Sequence, residues 1–232
     1  MIEILERYGL ILLIGQYPLG PIGGLAMTLI LAASTLILTL PLAILIGIAR
    51  TSPLHWLSNL AAIYVNTIRG LPLLLVIFWA YFAVPLLAGK GISPFTTMLC
   101  ALVAYETAYL GEVVRAGITA LPKGQTEASK ALGLSYWAMM QKVILPQALF
   151  NMIPSILNQF VVVVKNTSLA YIIGVDELTN AAYQINGQLL TKPFEVYALL
   201  AITYFCVCAL LTAGVDRITK SLRTVGSRHS VV

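Results

Sequence analysis

The sequence predicts an all-α polytopic membrane protein with five transmembrane helices, its N-terminus periplasmic and its C-terminus cytoplasmic. Three observations carry this. Of 232 residues, 59% are hydrophobic and 10% are charged, whereas soluble domains carry roughly 25% charged residues. Mean hydropathy is +0.90, and five apolar runs are long enough to cross a bilayer, a crossing taking roughly 20 residues at about 1.5 Å of rise each. Lys and Arg gather on one side of those runs. The net charge of +5 does not point to nucleic acid, because the charges are scattered between apolar runs rather than collected on one face.

The chain begins with IEILERYGLILLI, residues 2–14. It opens with acids and lacks an Ala-x-Ala exit, so no cleavable signal peptide is expected. Ile4, Leu5, Tyr8, Ile11 and Leu12 share one helical stripe, with Glu3, Glu6 and Arg7 off it. That pattern suits a short helix lying in the membrane interface.

The first span covers about 22–49 and contains Pro41. The second lies within about 58–87; its entrance, NTIRGLP, holds Arg69, Gly70 and Pro72, which predict a kink or a late start. The third covers about 94–115, the fourth about 146–165 with Pro154 inside it, and the fifth about 194–217. With the N-terminus outside, Arg50, Arg115, Lys123, Lys130, Lys142, Arg217, Lys220, Arg223 and Arg228 fall inside the cell. Arg7, Lys90, Lys165 and Lys192 fall outside, and Arg69 is unassigned. The excess inside sets the orientation. No internal repeat is visible, although an inverted-repeat transporter should show paired halves.

Between spans three and four the chain turns polar. After Pro122 it reads KGQTEASKALGLSYWAMMQK. Thr126 is a plausible cap and Glu127 suits a positive helix start. Ala128, Leu132 and Tyr136 recur at i, i+4, i+8 as one apolar stripe. Gly133 permits a bend, and Pro146 stops the helix and opens the next span. The segment reads either as an ordinary amphipathic helix resting on headgroups or as a compact knob that fits a partner's groove.

Polar groups also fall inside or beside the spans. Glu106 sits near the middle of span three, where a carboxylate costs on the order of 3 kcal/mol. It is either a lining group that meets a substrate ammonium or a lysine across the path, or a protonated glutamate hydrogen-bonded between helices. Glu112 and Arg115 are spaced to pair. Arg69 either holds a carboxylate or snorkels to the interface. Lys165, Asn166, Thr167 and Ser168 interrupt the end of span four, where broken helix ends expose backbone groups that bind a zwitterion; a plain capped helix end is the other reading. Residues 168–190 are too mixed to span, and ELTNAAYQI suggests a short amphipathic helix that acts as an external gate. Asn151, Asn158 and Gln159 are expected to hydrogen-bond between helices.

Cys100, Cys206 and Cys208 all lie in apolar runs and read as buried, reduced thiols. Cys206 and Cys208 point about 200° apart on a helix, and His55 and His229 have no partners at ligand spacing. No metal site is expected. The chain holds no nucleophile–base–orienter set, which argues against a membrane-bound enzyme. It also lacks a G-x-x-x-x-G-K-[ST] phosphate loop; Gly89-Lys90-Gly91 is the nearest fragment. A secondary transporter or channel subunit that works without ATP is the rival reading.

The polar loop resembles the signature of bacterial ABC importer permeases: Glu-Ala-Ala, three residues, Gly, nine residues, Ile-x-Leu-Pro. Here the match is Glu127, Ala128, Ser129, then Gly133, then Val143, Ile144, Leu145 and Pro146. Ser129 and Val143 are small departures. GGLAMTLILA, NTIRGLPLLL, AYLGEVVRAGITALPKGQTEASKALGL and VVVVKNTSLAYIIGVDELTNAA are similar to the polar amino acid branch of those permeases. The resemblance implies a single permease domain over residues 1–232 with the type I importer fold. The coupling loop would lie at about 122–143 and the periplasmic gate at about 166–192.

It further implies that Glu127, Ala128, Ser129, Leu132, Gly133 and Leu134 dock on an ATPase dimer. Glu106, Tyr109, Arg69 and Lys165–Ser168 would line the substrate path. No cofactor is expected on this chain; ATP and magnesium would sit on the partner ATPase. A second permease subunit, identical or related, and a periplasmic amino-acid-binding protein are the other implied partners, in a bacterial inner membrane. Arg69 and Lys165 favour glutamate or aspartate as cargo, with glutamine or a basic amino acid as alternatives.

Overall fold

The structure, a computed structural model, describes residues 2–229. The side chains of Ile2, Ala88 and residues 222–229 lie outside that description, and with them the charges of Arg223 and Arg228 and the His229 ring. The described residues form ten α-helices in order: α1 Ile2–Ile14, α2 Gly24–Thr51, α3 His55–Arg69, α4 Leu73–Ala88, α5 Pro94–Thr119, α6 Lys123–Ala131, α7 Tyr136–Met139, α8 Leu145–Asn166, α9 Leu178–Leu189 and α10 Pro193–His229. A π-helical turn, Met140–Ile144, joins α7 to α8, and a 3₁₀ helix, Thr167–Ile173, follows α8.

Among the described residues, four helical runs are long and apolar enough to cross a membrane: Gly24–Thr51, Pro94–Thr119, Tyr136–Ile173 and Pro193–Ser221. The expected second span is a broken pair, α3 and α4, and counts as a fifth crossing when taken as one. The break falls at Gly70–Pro72, as the entrance sequence predicts. Pro72 cannot donate to a continuing ladder, and it takes an extended backbone (ψ 138°) ahead of α4. Pro41 and Pro154 stay inside continuous helices.

One expectation fails at span four. Pro146 does not stop a helix, because the helical run is unbroken from Tyr136 to Ile173. The π turn widens the ladder one residue earlier, with the Leu145 N–H reaching Met140 O. Pro146 is then the second residue of α8, where its missing N–H costs little.

Contacts divide the chain into two units. The first comprises Met1–Ile37, Pro72–Val103 and Phe160–Gly214; the second comprises Leu38–Leu71, Ala104–Gln159 and Val215–Val232. In the first unit Ile4, Tyr8 and Leu12 of α1 pack against Leu178, Ala181, Ala182 and Ile185 of α9 and Val196 and Leu199 of α10. Ile4, Tyr8 and Leu12 of the α1 stripe are therefore covered by protein, while Leu5 on the same stripe stays 54% exposed. Burial of Ile4 and Leu12 contributes roughly 1.5–3 kcal/mol each. Lys192 Nζ adds an exposed ion pair to Glu3 Oε2 at 2.9 Å.

In the second unit Met139, Met140 and Ile144 form a cluster against Ile48, Ile118 and Leu121. Here α2 and α5 approach closely because each supplies a glycine. Gly47 faces Val114, and Gly111 faces Ile46, whose Cγ2 lies 2.6 Å from where a Cβ on residue 111 would sit. The cysteines also depart from expectation. All three are free, but Cys100 and Cys206 are exposed on outward helix faces rather than buried.

Candidate functional site

The polar loop is built from the second unit. Pro122 (φ −55°) precedes α6 with no side-chain cap, so the helix starts at Lys123 and Thr126 lies inside it rather than capping it. The proline's fixed φ supplies the start that a hydroxyl cap would otherwise give. The helix ends in a Schellman arrangement: Leu134 N–H donates to Ser129 O at 3.1 Å and Gly133 N–H to Lys130 O at 2.9 Å. Gly133 has φ +71°, the left-handed conformation that this ending needs. Ser135 then caps α7 by accepting from Ala138 N at 3.3 Å.

Only residues 132–135 separate the two helices, and the bend expected at Gly133 is present. The single stripe through Ala128, Leu132 and Tyr136 is not. Because α6 stops at Ala131, Leu132 projects outward at 80% exposure. Tyr136 belongs to the next helix, and its hydroxyl donates to Thr51 O at 3.5 Å. Glu127 and Ala128 are exposed. Ser129 is buried, and its hydroxyl donates to Gln125 O at 2.7 Å. A small side chain fits at 129, which is why serine substitutes for alanine there without disturbing the turn.

Toward the end of α5, Arg115 clamps Glu112 Oε1 through Nε at 2.8 Å and Nη2 at 2.7 Å. The pair was legible from spacing. Its third member was not: Arg50 of α2 donates from Nη2 to Glu112 Oε2 at 3.3 Å. The glycine contact between α2 and α5 brings Arg50 within reach, and sequence spacing carries no trace of it. Arg50 Nε is buried without a hydrogen-bond partner.

Glu106 is fully buried and accepts from Gln159 Nε2 of α8 at 2.6 Å. The expected interhelical role therefore holds for Gln159, while Asn151 and Asn158 face outward instead. Tyr109 and Arg69 meet: the guanidinium carbon lies 5.4 Å from the ring centroid, a cation–π distance. The Tyr109 hydroxyl pairs with that of Tyr105 at 3.1 Å.

In the first unit, α8 gives way to the 3₁₀ helix at Thr167, so the polar run does interrupt the α-helix. Lys165 and Ser168 line a cavity of about 280 Å³ together with Tyr204, Phe205 and Cys208 of α10. Asn166, half-buried, ends α8. Thr167 is fully buried and donates to Val164 O at 2.7 Å. Past Gly174 (φ +81°) the chain enters α9, the short helix that ELTNAAYQI predicts.

Glu177 opens that helix and was not foreseen, because glutamate is an uncommon N-cap. It is fully buried. Its Oε2 accepts from Thr179 N at 2.8 Å and Tyr204 Oη at 3.0 Å, and its Oε1 from Asn180 N at 2.9 Å. Burial pushes the carboxyl up to about 7 despite these donors.

The family described as binding-protein-dependent transport system inner membrane component matches residues 39–224. This chain belongs to that family. The permease is 38% identical over 197 residues to the "Probable glutamine ABC transporter permease protein GlnP" of Bacillus subtilis (strain 168), covering 84% of this chain and 90% of the relative. It is 34% identical over 201 residues to the arginine transport system permease protein ArtQ of the same strain, covering 85% and 91%. Among solved structures, a chain from the crystal structure of an amino acid ABC transporter with histidines superposes with a TM-score of 0.78 at 31% identity, covering 85% of this permease and 92% of that chain. The fold is that of type I ABC importer permeases, and the protein is a multi-pass inner membrane subunit of an amino acid importer. Its kind works with a separate ATPase, which hydrolyses the ATP, and with a substrate-binding protein.

Proposed function

We propose that this permease carries a polar amino acid bearing a free α-carboxylate, with glutamate or aspartate as leading cargo, and that the loop at 122–143 receives the ATPase stroke. The observation that carries the second part is the tip of the α6–α7 knob. Leu132 is 80% exposed beside a glycine turn whose own amides are satisfied. A large apolar side chain held outward on a rigid turn fits a groove on a partner. Glu127, Ala128, Gly133 and Leu134 complete the contact, with Ser129 anchoring its inner side. ATP and magnesium belong to that partner. The loop faces the cytoplasm, where most Lys and Arg fall, and a binding protein meets the opposite face. Two permeases, identical or related, enclose one path, gated outside by residues 166–192.

The cargo reading rests on cations. Lys165 lines the 280 Å³ cavity with Ser168, and Arg69 stands over Tyr109. Each supplies a cation that would attract a carboxylate, while Glu106 would attract an ammonium. Glutamine and arginine, the cargoes in the names of the two relatives, are the competing choices.

The test uses the complete importer in proteoliposomes. Leu132→Asp should release the ATPase and abolish ATP-driven uptake while the permease still inserts and folds. Retained uptake refutes the docking role. Competition among glutamate, aspartate, glutamine and arginine ranks the cargo, and a preference for arginine overturns the acidic assignment.

A further inference from the structure

Tyr204 belongs to two places at once. Its ring lines the Lys165 cavity, and its hydroxyl lies in the cap of α9. The hydroxyl donates to Glu177 Oε2 at 3.0 Å and is 3.2 Å from Thr179 Oγ1. Because its one proton goes to Glu177, Thr179 must be the donor in the second bond. Glu177 then holds the second and third amides of α9, those of Thr179 and Asn180, with both carboxylate oxygens.

The same turn is tied to the start of α2. Leu178 N donates to Thr28 Oγ1 at 3.1 Å, and Gly24 N donates to Asp176 O at 2.9 Å. On this side the cap is fixed to backbone and to a buried threonine. On the other side its hydrogen bonds to α10 run through the Tyr204 phenol, beside the apolar packing of Leu178 with Val196 and Leu199. The Tyr204 hydroxyl meets α9 at this cap, so the cap is where a displacement of that hydroxyl enters the helix.

We infer that Tyr204 and Glu177 are positioning residues that pass the occupancy of the Lys165 cavity to α9, so that the order of the α9 start depends on whether the cavity is filled. A ligand that shifts the Tyr204 ring shifts its hydroxyl, and with it the carboxylate on which the Thr179 and Asn180 amides depend. Transmission needs no contact between the ligand and α9. The inference rests on the proposed cargo site, and the experiment separates the two.

The reconstituted importer, with its ATPase and binding protein, is probed by hydrogen exchange of the α9 amides. Measurements are made without ligand and with saturating L-glutamate, L-glutamine or L-arginine in turn. Without ligand, Tyr204→Phe should speed exchange at Thr179 and Asn180 by about tenfold, the loss expected for one hydrogen bond to a carboxylate. This arm is independent of the cargo; unchanged exchange overturns the latch even if the cargo site is correct. With the transported amino acid, wild type should change its α9 exchange, and Tyr204→Phe should not.

Uptake supplies a readout that a merely structural role would not move: KM within about threefold of wild type and kcat lower by about tenfold, the signature of a lost step rather than lost binding. Phe205→Leu, which alters the cavity without touching the cap, should raise KM and keep the α9 response. An α9 response in Tyr204→Phe equal to wild type overturns the transmission. If no amino acid alters wild-type exchange or is taken up, the cargo assignment fails and transmission fails with it, while the ligand-free arm still decides the latch.

Discussion

Gly111→Ala should loosen the second unit and disconnect Arg50 from Glu112. A Cβ at residue 111 would stand 2.6 Å from Ile46 Cγ2 and 3.0 Å from Ile46 Cβ. Ordinary carbon contacts begin near 3.5 Å, so α2 and α5 must separate by roughly an ångström. Ile46 cannot yield, because a β-branched side chain has one favoured χ1 rotamer in a helix. Overpacking of this kind costs about 1–3 kcal/mol. The Arg50–Glu112 bond is already 3.3 Å long, and a further ångström takes it out of hydrogen-bond range.

The assay is thermal unfolding of the purified permease in detergent, with a double-mutant cycle. Ile46→Ala removes the opposing Cγ2, so it should cost less in the Gly111→Ala background than in wild type. The coupling energy should be about 1 kcal/mol or more. Equal costs in both backgrounds, or no destabilisation by Gly111→Ala, refute the claim that the helices touch at full packing density here.

Gly133 gives a different outcome because space is not the obstacle. No atom lies within 4 Å of a Cβ there, yet φ is +71°, so Gly133→Ala should cost about 1 kcal/mol of turn stability. Gly133→Asn should cost less and Gly133→Val more, read from hydrogen exchange at the Leu134 amide; equal effects contradict a conformational origin. Glu177 predicts a pH effect: its folded value of about 7 stands above the ordinary 4.5. The folded state therefore binds the proton more tightly than the unfolded one. Its contribution is fully present below about 4.5, falls on the order of 3 kcal/mol as pH rises through about 7, and is then flat. Thermal melts of wild type should show this decline, and Glu177→Gln should remove it; a wild-type profile that rises across the window reverses the sign and refutes the burial argument.

Spans were legible because their signal is length and apolarity, which the bilayer imposes directly. The Gly133 bend and the Glu112–Arg115 pair were legible because both are local: one depends on a missing Cβ, the other on i, i+3 spacing. What escaped was set by distant packing. Nothing in sequence places Arg50 beside Glu112, residues 62 apart, since that contact follows from two glycines facing two branched side chains. The burial of Ile4, Tyr8 and Leu12 escaped for a similar reason: an amphipathic helix looks the same whether lipid or α9 covers it. Glu177 passed as one polar letter in a short gate helix, because its weight comes from Tyr204, 27 positions later. The unbroken run through Pro146 was hidden by the π turn, which has no composition of its own.

That π turn also fixes an angular phase. It carries one residue more than an α-helical turn would, so everything beyond it is rotated relative to the loop by roughly 100° compared with a regular helix. Gln159 meets Glu106 only in this phase. Returning Met140–Ile144 to regular winding would swing the amide of Gln159 round the axis and leave the Glu106 carboxylate facing a different side chain. A single surplus residue beside the knob thus sets which surface of α8 the membrane-embedded acid sees.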